Sequence, residues 1–221
     1  MKRAAQLGIL VVAVLLSREM FGQETQSGTP SSVPGISPAA KNPWAYNLTV
    51  DGYIVPSGQS FANPVFMANR NWLHLEARYN SENLYTGSLW AGYNFSAGKK
   101  LVLDVTPMIG GVFGRTTGIA PGLELSLTYK KIEFSISNEY VFDTTHKSGN
   151  FYDAWLDLTY SLTNWLRVGA VAQHTKVFST SLTVQRGFLV GVSHKKWAFT
   201  TYVFDPEISE PTVVFEVGVN F

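Results

Sequence analysis

The last ten residues of the chain, 212-TVVFEVGVNF-221, alternate between two kinds of side chain. Successive side chains on a β-strand point to opposite faces. As a strand, this stretch would have an apolar face made of Val213, Phe215, Val217, Val219 and Phe221. Its other face would carry Val214, Glu216, Gly218 and Asn220, most of them small or polar. The stretch therefore predicts a two-faced strand that ends on an aromatic residue.

The same period of two recurs upstream, beginning near Trp44. In the stretch from Leu73 to Arg78, for example, apolar residues alternate with His74, Glu76 and Arg78. Pro64 interrupts one weak strand, because proline removes a ladder donor. We keep that strand, because only an even number brings both chain ends to the same side of a barrel. The predicted strands cover 46–54, 61–68, 73–80, 85–95, 101–106, 123–129, 132–137, 152–160, 166–173, 181–193, 196–204 and 213–221.

The connections between these strands alternate between tight and long. The tight ones are predicted at Arg70-Asn71, Ala97-Gly98, Lys130-Lys131, Thr163-Asn164 and Lys195-Lys196. The longer ones, rich in turn-forming residues, are predicted at Gly110–Gly118, Asp143–Asn150 and Asp205–Pro211. The pattern predicts an all-β fold, an antiparallel up-and-down barrel of about twelve strands with short turns at one end.

Composition agrees with a membrane barrel. Charged residues make up 15% of the chain, against a usual ~25% in soluble domains. Aromatic residues make up 14%, and no apolar run of about 18 residues follows the N-terminal region.

The closing strand and the upstream alternation resemble the transmembrane β-barrels of Gram-negative outer membranes, a porin-like class. In that class the terminal Phe is part of the signal read by the barrel-assembly machinery. The resemblance implies an outer-membrane location, contacts with lipid and lipopolysaccharide, and an assembly role for Phe221.

The N-terminal region differs from the rest. Lys2 and Arg3 precede an apolar stretch from Leu7 to Leu16, the pattern of a signal peptide. Residues 23–43 are rich in Ser, Thr, Gly and Pro and cannot bury enough apolar surface to offset their ordering entropy. We predict a signal peptide at 1–22, a flexible periplasmic leader at 23–43 and the barrel at 44–221.

The predicted inward face carries the charges. We expect a luminal network or constriction formed by Glu76, Arg78, Asp104, Glu124, Asp157, Arg167 and Arg186. Strict alternation would place Arg186 against lipid, at a cost of ~2–4 kcal/mol at the bilayer centre. We therefore expect a bulge near Gln185–Gly187 to turn it inward. Carboxylates outnumber arginines on this face, which favours cations.

Aromatic residues are predicted to cluster near the two ends of the strands, as interfacial girdles do. The inner set is Tyr46, Trp72, Tyr93, Phe95, Tyr129, Tyr160, Trp165, Trp197 and Phe221. The outer set is Tyr79, Tyr85, Tyr140, Phe142, Tyr152, Phe178, Tyr202 and Phe204.

Known chemical motifs are not evident. His74 and Glu76 share a face, but a metal site would need further ligands converging from neighbouring strands, so we predict no metal and no cofactor. The outer-membrane phospholipase family uses an outward His-x-Ser. Here the residue two positions after His174 is Lys176, so the serine of that motif is missing. His146-Lys147-Ser148 has that spacing, but it lies in a predicted loop without a visible third member. We predict no enzymatic activity, and the net charge of +1 does not suggest nucleic acid.

Three functions remain open from the sequence. The first is a narrow passive channel for ions or small polar solutes. The second is a closed barrel with a structural or surface-binding role. The third is an exported soluble β-barrel that binds an apolar ligand, which requires apolar faces turned inward. The oligomeric state is left open.

Overall fold

The structure is a computed structural model of the chain, and it describes residues 44–56, 58–145, 149–175 and 183–221. The predicted signal peptide and leader lie outside these ranges, as do His146-Lys147-Ser148, Lys176 and Phe178. No helix among the described residues is long and apolar enough to cross a membrane.

Within these ranges thirteen antiparallel strands form one sheet. Each strand pairs with its neighbours in the chain, except that β4 and β5 both pair with β6 and not with each other, and β1 also pairs with β13. The strands are β1 Ala45–Ile54, β2 Phe61–Arg70, β3 Leu73–Tyr79, β4 Thr86–Tyr93, β5 Phe95–Ala97, β6 Leu101–Gly114, β7 Gly118–Tyr129, β8 Ile132–Asp143, β9 Phe151–Ser161, β10 Leu166–Thr175, β11 Thr183–His194, β12 Trp197–Phe204 and β13 Thr212–Asn220.

The sheet closes into a barrel between β4 and β6. Strand β4 pairs with the second half of β6, and the short β5 pairs with its first half. Asn94 separates β4 from β5 and interrupts what is otherwise one barrel strand. The described chain is therefore a closed antiparallel barrel of twelve strands with one extra short strand, as predicted. Closure leaves no exposed sheet edge.

One end of the barrel, here called the terminal end, holds both ends of the strand-forming chain and the tight turns. The backbones of Tyr46 and Phe221 exchange two hydrogen bonds of 3.0 Å each. Asn71, Lys130 and Lys195 adopt positive φ angles in three of the turns. The other end, here called the far end, holds the remaining connections, including 205–211.

The predicted loop Gly110–Gly118 is wrong in its extent, because β6 continues to Gly114 and β7 begins at Gly118. Within this run, Gly110 serves packing inside the barrel. A Cβ at Gly110 would lie 2.4 Å from the ring of Trp90. Glycine at this position thus makes room for an inward-facing indole on the neighbouring strand.

The apolar face of the sheet is turned outward. On β4, Leu89 is 60% exposed, while its neighbour Trp90 is 3% exposed. The same alternation holds along β6, where Ile109 is exposed and Met108 is buried. Soluble monomers rarely expose a contiguous apolar patch larger than a few hundred Å², and an outward apolar face of this kind is typical of barrels that contact lipid. The orientation is the reverse of that required by the soluble-barrel alternative.

Exposed aromatic side chains mark both ends of this outer surface. Those near the terminal end are Trp72, Tyr93, Phe95, Tyr129, Tyr160, Trp165, Trp197 and Phe221, and those near the far end are Tyr79, Tyr85, Tyr140, Phe142 and Tyr152. Tyr202 and Phe204 are corrections to the predicted outer set, because both are buried inside the barrel. They share the inward face of β12 with Thr200, whereas Trp197 and Phe199 face outward.

Candidate functional site

The interior of the barrel has two layers. In the half nearer the terminal end, polar and charged side chains line the wall. In the half nearer the far end, two apolar clusters lie beside buried polar side chains such as Glu82, Ser88 and Gln173. The two layers meet around Arg78 on β3 and Glu216 on β13.

Arg78 forms a bridge across the lumen. Its Nε donates to Glu76 Oε2 on the same strand, and its Nη1 donates to Glu139 Oε2 on β8 at 3.0 Å. Its Nη2 lies 3.9 Å from Glu124 Oε1 on β7. Because β3 and β8 are four strand positions apart around the barrel, one guanidinium ties together distant parts of the wall. The guanidinium also lies over the Trp90 ring, 4.5 Å from its centroid.

A hydrogen-bonded chain holds the base of this network in place. His74 Nδ1 lies 2.8 Å from Asn69 Oδ1, and His74 Nε2 lies 2.6 Å from Glu76 Oε1. Asn94 donates to the same Asn69 oxygen at 2.8 Å. Thr106 in turn donates to Asn94 Oδ1 at 2.9 Å. The interruption between β4 and β5 thus supplies a buried amide that positions Asn69.

A second network surrounds Arg167 on β10, six strand positions from β3 and therefore on the opposite wall. Arg167 Nη2 donates to Thr200 Oγ1 at 2.8 Å and lies 3.8 Å from Glu216 Oε1. Thr200 donates to Glu216 Oε1 at 2.9 Å, and the Tyr202 hydroxyl donates to Glu216 Oε2 at 3.2 Å. This carboxylate is therefore satisfied by neutral donors as well as by a cation.

Two apolar clusters fill the far half of the lumen. One contains Trp90, Met108, Val112, Ala120 and Val141, with Phe151 packed against it. The other contains Val171, Leu189, Tyr202, Phe204 and Val214, with Tyr53 and Trp155 packed against it. Phe204, Val141 and Val214 are 0% exposed, so no water-sized space adjoins their side chains. We call these two clusters together the apolar layer.

The structure places six of the seven predicted luminal residues inside the barrel. Glu76, Arg78 and Glu124 come together in the first network. Arg167 lies in the second, and Asp157, on the adjacent strand, accepts a 3.0 Å hydrogen bond from Trp155 Nε1. Asp104 is inward and buried on β6.

Arg186, the seventh residue, was expected to face the lumen but lies on the outer surface. It is 80% exposed and lies 3.6 Å from Glu207, itself 54% exposed. The register between β10 and β11 is unbroken from Thr183 to Val192, so the expected bulge does not exist. Arg186 also pairs through its backbone with Asp205 at the far end. Since it lies beside this connection and away from the bilayer centre, the lipid penalty that motivated the bulge does not arise.

The alternation of side chains along the strands does not predict every residue in the interior. Glu82 belongs to the connection between β3 and β4, yet it is buried. Ser88 Oγ and Trp90 Nε1 both donate to its Oε1, the latter at 3.2 Å. This connection folds into the far end of the lumen. No periodicity in residues 80–85 signals such an entry.

Within the part of the chain that the structure describes, His74, Glu76 and Glu124 form a group whose geometry could hold a metal ion. One ligand atom of each lies within 4.8 Å of those of the other two. A third ligand to the His74 and Glu76 pair is therefore supplied by Glu124 on β7, three strand positions away around the barrel.

Comparison with known proteins shows the fold. No family model matches the chain, and no curated protein matches it. Among solved structures, the KdgM porin is 11% identical, with a TM-score of 0.55, covering 79% of this chain and 99% of its own. The KdgM porin in complex with disordered oligogalacturonate is 10% identical, with a TM-score of 0.50, covering 80% and 98%. These comparisons show that the chain has a closed β-barrel fold similar to that of porins.

Proposed function

We propose that this protein is a narrow passive channel of the outer membrane, for ions or small polar solutes, with a preference for cations. The observation that carries the proposal is the excess of carboxylates on the inward face. Those on the described strands include Asp51, Glu76, Asp104, Glu124, Glu133, Glu139, Asp153, Asp157 and Glu216, against the guanidinium groups of Arg78 and Arg167. Fixed negative charge along a narrow path concentrates cations and repels anions.

The sign of this charge bears on which solutes the channel would admit. A KdgM porin structure contains oligogalacturonate, a chain of sugar carboxylates. A lumen rich in carboxylates would repel such a polyanion. The proposed solutes are therefore cations or neutral polar molecules of small size.

The apolar layer supports a closed resting state. Its two clusters draw side chains from every barrel strand except β2 and β3. Hydrophobic constrictions in channels gate by excluding water. Conduction through this barrel requires the layer to loosen, for example by withdrawal of the connection that carries Glu82, so openings should be brief and small.

A second candidate is a barrel that does not conduct and has a structural or surface-binding role. The near-complete burial of Phe204, Val141 and Val214 favours it. A porin-like fold points to either of these roles rather than to catalysis.

The proposal includes a location in the outer membrane and an orientation of the barrel within it. With the terminal end toward the periplasm, residues 1–22 would act as a signal peptide and 23–43 as a periplasmic leader. The far end would face lipopolysaccharide, and Phe221 would be presented to the assembly machinery. The outward apolar face supports insertion in a membrane.

Planar bilayer recording tests the proposal. Purified protein should give small discrete current steps with potassium favoured over chloride. Glu124→Gln should weaken that preference, and Phe204→Ala should lengthen the openings by removing a ring from the apolar layer. Glu207→Gln, an exposed carboxylate at the far end, is the control and should leave selectivity unchanged. Bilayers that stay silent for wild type and Phe204→Ala, with insertion verified, would overturn the channel in favour of the second candidate.

A further inference from the structure

The first luminal network contains a set of ligand atoms suited to a metal ion. We propose that His74 Nε2, Glu76 Oε1 and one Glu124 carboxylate oxygen bind a divalent transition-metal ion of the Zn²⁺ type inside the barrel. The three ligand atoms converge within 4.8 Å of one another. They come from two strands, β3 and β7, that are three positions apart around the barrel.

The hydrogen bonds of the His74 ring point to a cation at its other nitrogen. Asn69 Oδ1 accepts from Asn94 at 2.8 Å, so this oxygen faces donors and His74 Nδ1 carries a proton that it donates to Asn69. In neutral imidazole, Nε2 then bears a lone pair. That lone pair lies 2.6 Å from Glu76 Oε1. Two lone pairs at this distance repel, so a proton lies between them, and a metal ion would bind by displacing that proton and moving the two atoms apart.

Metal-binding histidines in proteins usually donate their second ring nitrogen to a carbonyl or carboxylate, which fixes the tautomer and the ring orientation. Asn69 has that role here, and it is itself held by Asn94 and Thr106. The site therefore has the supporting shell of a metal centre as well as its ligands. This support is buried, as are His74 and Glu76.

The two carboxylates remain available for a metal at the oxygens in question. Glu76 uses its other oxygen, Oε2, for Arg78. Glu124 Oε1 lies 3.9 Å from Arg78 Nη2, longer than a hydrogen bond, and the Glu124 side chain is 15% exposed. Glu124 thus offers a carboxylate that faces the remaining space of the lumen, from which an ion could arrive.

Charge balance supports a divalent ion. Around Arg78 lie the carboxylates of Glu76, Glu124 and Glu139. These carboxylates, with that of Glu82 nearby, outnumber the one guanidinium, and a divalent cation would reduce this excess of negative charge. The mixture of one imidazole and two carboxylates suits Zn²⁺ or a similar transition metal better than Mg²⁺ or Ca²⁺, which take oxygen ligands.

This site goes beyond the proposed channel, because binding needs no conduction. Its test is Zn²⁺ titration by calorimetry on the folded, untagged barrel after removal of metals with a chelator. Wild type should bind about one Zn²⁺ per chain at this site. Asn69→Ala should weaken binding by ~10–100-fold, the usual effect of losing a supporting residue. Glu124→Gln should weaken it further, because it removes a ligand.

Asp157→Asn is the matched control, since Asp157 is an inward carboxylate on β9 outside the set, and binding should be unchanged. Cu²⁺ bound to the wild-type barrel should show electron spin resonance coupling to a single imidazole nitrogen, a readout that needs no variant to fold. A barrel that binds no Zn²⁺ would overturn the site and leave a proton between His74 and Glu76. Binding that Glu124→Gln leaves intact, or that Asp157→Asn weakens equally, would overturn it as well.

Discussion

Replacement of Arg78 by alanine should destabilise the barrel more than any replacement of an exposed arginine. Arg78 is the cation shared by Glu76, Glu139 and, at longer range, Glu124. Its side chain is largely buried, and that of Glu76 is fully buried. Truncation would leave these carboxylates inside the barrel without their counter-ion.

The expected cost follows from this burial. Breaking a buried ion pair by removing one partner costs about 3–5 kcal/mol, because it leaves an uncompensated buried charge. The contact between Arg78 and Trp90 contributes within the same range, at roughly 0.5–2 kcal/mol. We expect Arg78→Ala to lower the free energy of unfolding by about 3–5 kcal/mol in total.

The assay is reversible unfolding in guanidinium in the presence of lipid vesicles, followed by tryptophan fluorescence. Arg186→Ala is the matched control, since its pair with Glu207 is exposed and should be worth at most about 1 kcal/mol. Adding Glu139→Gln to Arg78→Ala should recover part of the loss, because it removes one uncompensated carboxylate. If Arg78→Ala and Arg186→Ala destabilise the barrel equally, the luminal bridge does not stabilise the fold.

Two further predictions concern assembly and packing. Phe221→Ala should lower the amount of barrel in the outer membrane far more than Phe215→Ala, which removes an outward aromatic side chain from β13. Each substitution should lower the stability of the refolded protein by only ~1–2 kcal/mol. Equal membrane levels for the two variants would contradict the assembly role of Phe221. Gly110→Ala should cost about 1–3 kcal/mol, because its Cβ would overlap the Trp90 ring. Gly111→Ala, where a Cβ would meet nothing within 4 Å, should be near neutral in the same unfolding assay, and equal effects would contradict the packing described.

The alternation of side chains was sufficient to predict the architecture. A period of two sets which residues face lipid and which face inward, and it identified Glu76, Arg78, Glu124, Asp157 and Arg167 as luminal. It failed where both faces are apolar. On β12, Tyr202 and Phe204 were assigned to the girdle, because an apolar layer inside a membrane barrel removes the contrast on which the pattern depends.

The position of a residue along the barrel axis and its contacts across the lumen could not be predicted from the sequence. Arg186 was assumed to lie near the bilayer centre, whereas its pairing with the 205–211 connection places it at the far end. The bridge from Arg78 to Glu139 depends on the curvature of the closed sheet, which no local pattern encodes. The burial of Glu82 likewise depends on the path of a connection.

Spin labelling along β9 tests the central claim, a membrane barrel with its apolar face against lipid, most directly. The chain has no cysteine, so single cysteines can be placed at positions 154–160 and labelled without a background signal. In lipid vesicles, a label at Leu158, which is outward, should collide mainly with oxygen dissolved in the bilayer. A label at Asp157, which is inward, should be shielded from it, and the alternation should continue along the strand. If labels at the outward positions collide mainly with a water-soluble nickel complex, the apolar face does not lie against lipid and the account is wrong.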